Sequence, residues 1–168
     1  MKVNNEHVRR QDRICEDQAL LTALLDQAEM MHVAMNDEPF PHVVPLSYGY
    51  EFVGETLKFY FHGAAAGRKV ALWKKNPNVA FSIAAPGPVN FAEDPVCHTG
   101  QDFLSILGQG VMRELPQQER HHAVEMIMRR YAHDNEKTWT FPPAMLAAMG
   151  IYEMEVVTMS AKRRHTAH

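Results

Sequence analysis

From residue 31 to residue 159 the apolar side chains fall mainly in short runs rich in β-branched and aromatic residues, and Pro or Gly cuts most of them off within ten residues. Such runs are read as strands bounded by turns. Residues 31–35 form the first and 36–39 a turn, with 41–50 returning as the second strand of a hairpin. In 56–62, Leu57, Phe59 and Phe61 alternate with Lys58, Tyr60 and His62, so one face of that strand belongs to a core and the other is partly polar. Residues 79–84, 103–111 and 151–159 make three more. Six strands that follow one another closely favour a small antiparallel barrel over a parallel sheet with regular crossover helices.

Helical spacing is confined to a few places. Leu20, Leu21, Leu24, Leu25 and Ala28 lie on one face of a helix beginning near Asp17, whose first turn carries acidic groups where the helix dipole favours them. A short helix is expected from Gly67 to Lys75, stopped by Asn76-Pro77, and a long one after Pro116 with Val124, Ile127, Met128 and Tyr131 inward. Residues 85–100, with three prolines and two glycines, read as a long loop that covers a site. Residues 1–13 read as a polar arm, 14–163 as one domain and 164–168 as a tail.

A chain of 168 residues with 46% hydrophobic content is sufficient for one core. Its 17 basic and 20 acidic residues nearly cancel, which speaks against a nucleic-acid partner. Cys15 and Cys97 stand far apart and outside any zinc spacing, and no apolar run has the length of a signal peptide or membrane span; a soluble, cytoplasmic protein is expected.

The segment with most chemical content is His62-Gly63-Ala64-Ala65-Ala66-Gly67-Arg68-Lys69. A strand ends, small residues follow, and two cations stand on the opening turn of a helix. The first N–H groups of a helix lack internal partners and carry partial positive charge, so with two cations they suit a phosphate. Neither a Walker A loop nor a Gly-x-Gly-x-x-Gly fingerprint is present. Spacing alone leaves two readings: a phosphate cradle, or an ordinary strand-turn-helix with a solvated Arg-Lys pair.

The ordered succession Val43-Val44-Pro45-Leu46-Ser47-Tyr48-Gly49-Tyr50, Leu57 through Ala64, Gly67-Arg68-Lys69 and Lys75-Asn76-Pro77-Asn78-Val79 resembles the pyridoxamine 5′-phosphate oxidase-like flavoproteins, in particular their nitroimidazole-resistance (Nim) branch. Cys97 followed by the run from Ser105 to Gly110, then Trp139-Thr140-Phe141-Pro142 and Ile151 through Glu155, extend the resemblance over roughly residues 9–163. It implies a mainly β fold, a six-stranded antiparallel FMN-binding split barrel of Greek-key type with helices, dimeric, with FMN at the subunit interface. It also implies that Arg68 and Lys69 bind the FMN phosphate, and that the backbone of His42, Val43, Val44, Pro45, Leu46 and Ser47 passes along the flavin ring. Phe61, His62, Gly63 and Gly67 would lie beside ribityl and phosphate, and Ser105 would contribute from the fifth strand, of the same subunit or across the interface.

The implied activity is that of an FMN-dependent oxidoreductase passing electrons to a small organic acceptor such as a nitroaromatic. His62 would be the catalytic proton donor or simply a phosphate ligand, with Tyr48 or Ser47 the next candidate donors. A non-catalytic flavin- or haem-binding protein for storage or sensing is the alternative, and the scaffold also hosts deazaflavin users. The Trp and Arg pair of pyridoxamine phosphate oxidases has no counterpart after Ile151, which points to another substrate; Asp102-Phe103-Leu104 replaces the basic and aromatic residues expected before Ser105.

His121, His122 and Glu125 share one helix face, as a metal site or a solvated face would; no metal is expected. Met30, Met31, Met126, Met128, Met145 and Met149 are expected to fill the core and the dimer contact. Cys97 is expected to be a buried spectator, with a reactive thiol the other reading.

Overall fold

In the computed structural model of the chain, which describes residues 5, 6, 8–133 and 137–165, seven antiparallel strands form one sheet in the order β2-β1-β5-β6-β7-β4-β3. The strands are β1 (Met31–Met35), β2 (His42–Leu46), β3 (Gly49–Val53), β4 (Thr56–Gly63), β5 (Asn78–Asn90), β6 (Gly100–Glu114) and β7 (Gly150–Arg164). The helices are α1 (Gln18–Gln27), α2 (Arg68–Lys75), α3 (Gln117–Ala132) and α4 (Pro143–Ala148). None of the described helices is long and apolar enough to cross a membrane.

The sheet is mainly β with helices, as expected, but it has seven strands where six were expected, and it does not close. The extra strand arises because the run 41–50 breaks at Ser47-Tyr48 into β2 and β3, which lie on the two opposite edges. Leu46 and Gly49 are three bonds of chain apart, so their Cα atoms lie within about 11 Å. The two edges therefore meet at one corner, and the sheet curls around its core without hydrogen bonding shut. Tyr48 anchors that corner: it is fully buried, its hydroxyl donates to Leu25 O at 2.9 Å, and its ring meets Phe59 edge-on.

Other boundaries moved because strand pairing extends them. β5 runs on to Asn90 and β6 begins at Gly100, so only residues 91–99 of the expected loop lie outside strands; a register shift between Pro86 and Val89 accommodates the prolines. β7 continues to Arg164, and Ile14 bridges to Lys162 at its end.

Asp17 caps α1 by accepting from the N–H groups of Ala19 and Leu20, worth about 0.5–2 kcal/mol. Leu21, Leu24 and Leu25 then pack into the main core with Met31, Val33, Phe59, Phe81 and Ile106. A second, smaller core lies under α3 and α4, where Ala123, Val124, Ile127 and Leu146 meet Tyr60 and Ile151. Packing of α3 on β3 is so close that a Cβ at Gly49 would collide with the backbone of Met126 and Ile127. Of the expected methionines, Met31 and Met126 are buried and Met128 and Met149 half-buried, but Met30 and Met145 are exposed; Tyr131, expected inward, is exposed as well.

Candidate functional site

β4 delivers the chain to the cradle. Leu57, Phe59 and Phe61 point into the main core, and on the other face the half-buried Lys58 and the buried Tyr60 precede His62, Tyr60 being covered by α3. His62 then emerges into solvent opposite Ile151, Gly63 pairs with Gly150, and Ala64, Ala65 and Ala66 are exposed. Gly67 has φ 127 and ψ 176, a region held almost only by glycine, and from there α2 begins. No side chain caps that helix, so the N–H groups of its first turn face outward without an internal partner.

Both cations stand at this opening. The Lys69 ammonium folds back over Gly63, lying 3.4 Å from where a Cβ would be. Arg68 turns the other way and grips Asp37 in the β1–β2 turn, at 2.6 Å from Nη2 and 2.9 Å from Nε. That guanidinium holds the Asp37 carboxyl below the usual aspartate range, outweighing a desolvation that opposes it. The pair brings the start of β2 and the start of α2 together, with His42 close enough to add to the field at Asp37. Nothing in the sequence pattern pointed to Asp37, an acidic residue in a turn of ordinary composition.

β2 is an edge strand, paired only with β1, so half of its backbone N–H and C=O groups have no strand partner. His42, Val44 and Leu46 are half-buried on the side of the core, while Val43 and Pro45 are exposed. Ser47 follows, half-buried, on a cleft of about 440 Å³ shared with Asp26, Arg130 and Tyr131. These features fit a flavin phosphate ester: unpaired donors and two cations for the phosphate, and an edge of free backbone groups beside apolar side chains for a flat ring.

Three of the expected residues do not bring their side chains to the cradle within the single chain. The Phe61 side chain is in the core, so only its backbone borders the cradle. Tyr48 is fully buried and does not offer its hydroxyl to solvent: burial pushes that hydroxyl up to about 12, it donates a hydrogen bond to Leu25 O, and Arg130 lies 4.1 Å over its ring. Ser105 pairs with Ala84 and Lys162, whereas His62 and Gly63 pair with Ile151 and Gly150. These positions are near opposite ends of β7, a strand of 15 residues, so Ser105 is remote from the cradle of its own chain.

A buried polar network that the sequence did not announce lies on β4 and its neighbours. Glu153 is almost fully buried and accepts from Arg113 Nε at 2.7 Å, Arg113 Nη2 at 2.9 Å and Lys58 Nζ at 3.3 Å. Burial alone would raise its carboxyl, yet the two cations bring it below the usual range. Glu51 accepts from the Tyr60 hydroxyl at 2.5 Å and lies 2.8 Å from His122 Nε2. His122 therefore pairs across to β3, and His121 lies 4.0 Å from Glu125; among the described residues no three His, Cys, Asp or Glu side chains converge on a metal position. Cys97 is exposed, not buried as expected, because residues 91–99 stand beyond the paired part of the β5–β6 ribbon.

One further surface bears on the site. Beside the β1–β2 hairpin the outer face of β5, β6 and β7 exposes Leu107, Val111 and Val157 at 47%, 38% and 57%, around two concavities of about 370 and 400 Å³ that share Ala80 and Gln109.

Residues 17–163 match the family model described as pyridoxamine 5′-phosphate oxidase. The fold is similar to that of a candidate 5-nitroimidazole antibiotic resistance protein from Bacteroides thetaiotaomicron, at 24% identity and TM-score 0.73, covering 89% of this chain and 86% of that one. It is also similar to a FAD- and heme-binding protein from Mycobacterium smegmatis (17% identity, TM-score 0.75, 92% and 74% covered) and to a flavocytochrome from Azotobacter vinelandii (17%, 0.77, 99% and 77%). No curated protein matches the sequence.

Proposed function

The chain belongs to the pyridoxamine 5′-phosphate oxidase family, and from that premise we propose that it binds FMN and uses it to reduce a small organic acceptor, a nitroaromatic being the first to test. The observation that carries the reading is the cradle at the start of α2, where uncapped N–H groups open outward with Lys69 folded over Gly63 on one side and Arg68 held by Asp37 on the other. Structural likeness to a flavocytochrome and to a FAD- and heme-binding protein supports a flavin.

In this reading Arg68, Lys69 and the first N–H groups of α2 bind the phosphate, and the free edge of β2 from His42 to Leu46 orients the ring. FMN, when bound, supplies the electron-transferring ring. His62, exposed at the mouth of the cradle, holds a proton for the acceptor, and Ser47 is the second polar group offered to it. The exposed apolar face around Leu107, Val111 and Val157 joins two copies, which excludes water from the ring and brings the partner's β6, with Ser105, to a site it does not reach within one chain. The protein works in the cytoplasm.

The test is turnover. Purified protein given FMN should turn yellow, bleach with NADH or NADPH and recover on addition of a nitroaromatic; His62→Gln should keep the flavin and lose about 100-fold in turnover. Bleaching without transfer to any acceptor would leave a flavin carrier instead of a reductase, and a Soret band would move the reading to haem.

A further inference from the structure

The cradle has a buried support on its inner side. Tyr152 of β7 is 3% exposed, belongs to the main core and pairs with Phe61 of β4. Its hydroxyl donates to Ala64 O at 3.3 Å, and its ring meets the indole of Trp73 edge-on with centroids 5.0 Å apart. These two partners belong to the two limbs of the cradle: Ala64 follows the end of β4, and Trp73 lies on α2. Burial pushes the Tyr152 hydroxyl above the ordinary tyrosine value, so it stays a donor across the neutral range.

The contacts close a circuit. Trp73 stands four residues after Lys69, one helical turn along the same side of α2. Lys69 carries its ammonium back over Gly63, the residue before Ala64. Holding Trp73 therefore holds the side of the helix from which Lys69 projects, and holding Ala64 O fixes the chain just past the glycine that Lys69 covers. Gly150 completes the support. It pairs with Gly63, and a Cβ there would lie 2.5 Å from the Tyr152 hydroxyl and 2.7 Å from Ala64 O, so a side chain at this position would wedge into their hydrogen bond.

We propose that Tyr152 is a positioning residue of the cradle: by holding Ala64 and Trp73 at once it sets the separation of the two limbs and the place of Lys69, and so decides how strongly the site prefers a phosphorylated flavin. It acts through these two partners and not on the phosphate. The inference rests on the flavin reading of the cradle and deepens it, since it names what makes the site selective for FMN over the same flavin without its phosphate.

The experiment compares FMN with riboflavin, which carries the same ring and ribityl chain and no phosphate. Equilibrium titration of the full-length wild type should find FMN bound at least about 10-fold more tightly than riboflavin. Equal affinities would remove the phosphate cradle itself, and this inference with it. Tyr152→Phe keeps a ring against Trp73 and deletes only the donor. It should bind FMN about 5-fold more weakly than the wild type and riboflavin equally well. A general loosening of the fold would weaken both flavins alike; that result, or unchanged FMN binding, would overturn the proposal while leaving the cradle in place. Gly150→Ala reaches the same hydrogen bond from the strand side and should show the same split between the two flavins, which keeps the question decidable if Tyr152→Phe does not fold. A folded Gly150→Ala protein without that split would count against the proposal in the same way.

Discussion

Arg68 spends two of its donors on one oxygen of Asp37, 2.6 Å and 2.9 Å away, while 67% of its side chain remains exposed. A long side chain at such a surface would otherwise sample many rotamers, and Asp37 fixes its direction at the mouth of the cradle. Because Nη1 is left free, the clamp orients the guanidinium without consuming it.

Asp37→Asn should therefore loosen phosphate binding by roughly 3-fold, through lost orientation, although it removes a negative charge from the neighbourhood. Equilibrium titration with FMN checks this; tighter binding by the variant would make Asp37 a competitor of the phosphate instead of a guide for Arg68.

At Gly67 the backbone holds a conformation that side chains avoid, and a Cβ there would meet no atom within 4 Å. Gly67→Ala is thus a test of backbone strain free of collision. It should cost about 1–3 kcal/mol in stability, or shift the first turn of α2 and weaken phosphate binding. Chemical denaturation and FMN titration read the two outcomes; an unchanged protein would mean that the cradle does not need this glycine.

The helix α1, the strand β4 and the strand-turn-helix of the cradle were legible because their spacing is local: Leu21, Leu24 and Leu25 on one face, Leu57, Phe59 and Phe61 on another, Gly67 at the bend. The break between β2 and β3 was not, since Tyr48 looks like a strand residue and turns inward to pack on Phe59 and donate a hydrogen bond to Leu25 O, far away in the chain. Pro86 and Pro88 concealed the extension of β5 in the same way, because pairing with β6 resumes past a register shift that no local rule foresees. Asp37 and Glu153 acquire their roles from partners 31 and 40 residues away. The resemblance supplied the family, which spacing alone left open.

Glu153 should contribute to stability in acid. Its folded carboxyl lies below the ordinary value of 4.5 because Arg113 and Lys58 outweigh the effect of burial. Stability from this group is complete above pH 4.5, shrinks as pH falls below it and is gone once the folded value is passed. Glu153→Gln should cost about 2 kcal/mol at neutral pH, less than the 3–5 of a fully buried pair because Arg113 is 44% exposed. The variant should also show a shallower loss of stability on acidification, which denaturation at pH 7 and pH 4 would reveal.

The apolar face of β6 and β7 supplies a test of assembly. Val157→Asp puts a charge where the residue is 57% exposed, so the single chain should fold unharmed. Light scattering coupled to size exclusion should find the wild type dimeric and the variant monomeric, with flavin retention lost alongside. A wild type that is monomeric while holding flavin would contradict an interface site.

Flavin retention itself is the most direct measurement. The visible spectrum of the purified, FMN-soaked and desalted protein, beside that of an Arg68→Ala, Lys69→Ala double variant, isolates the cradle from everything else. The flavin band should persist in the wild type and be lost from the folded variant. A colourless wild type, or a variant equally yellow, would contradict the assignment of the phosphate to the start of α2.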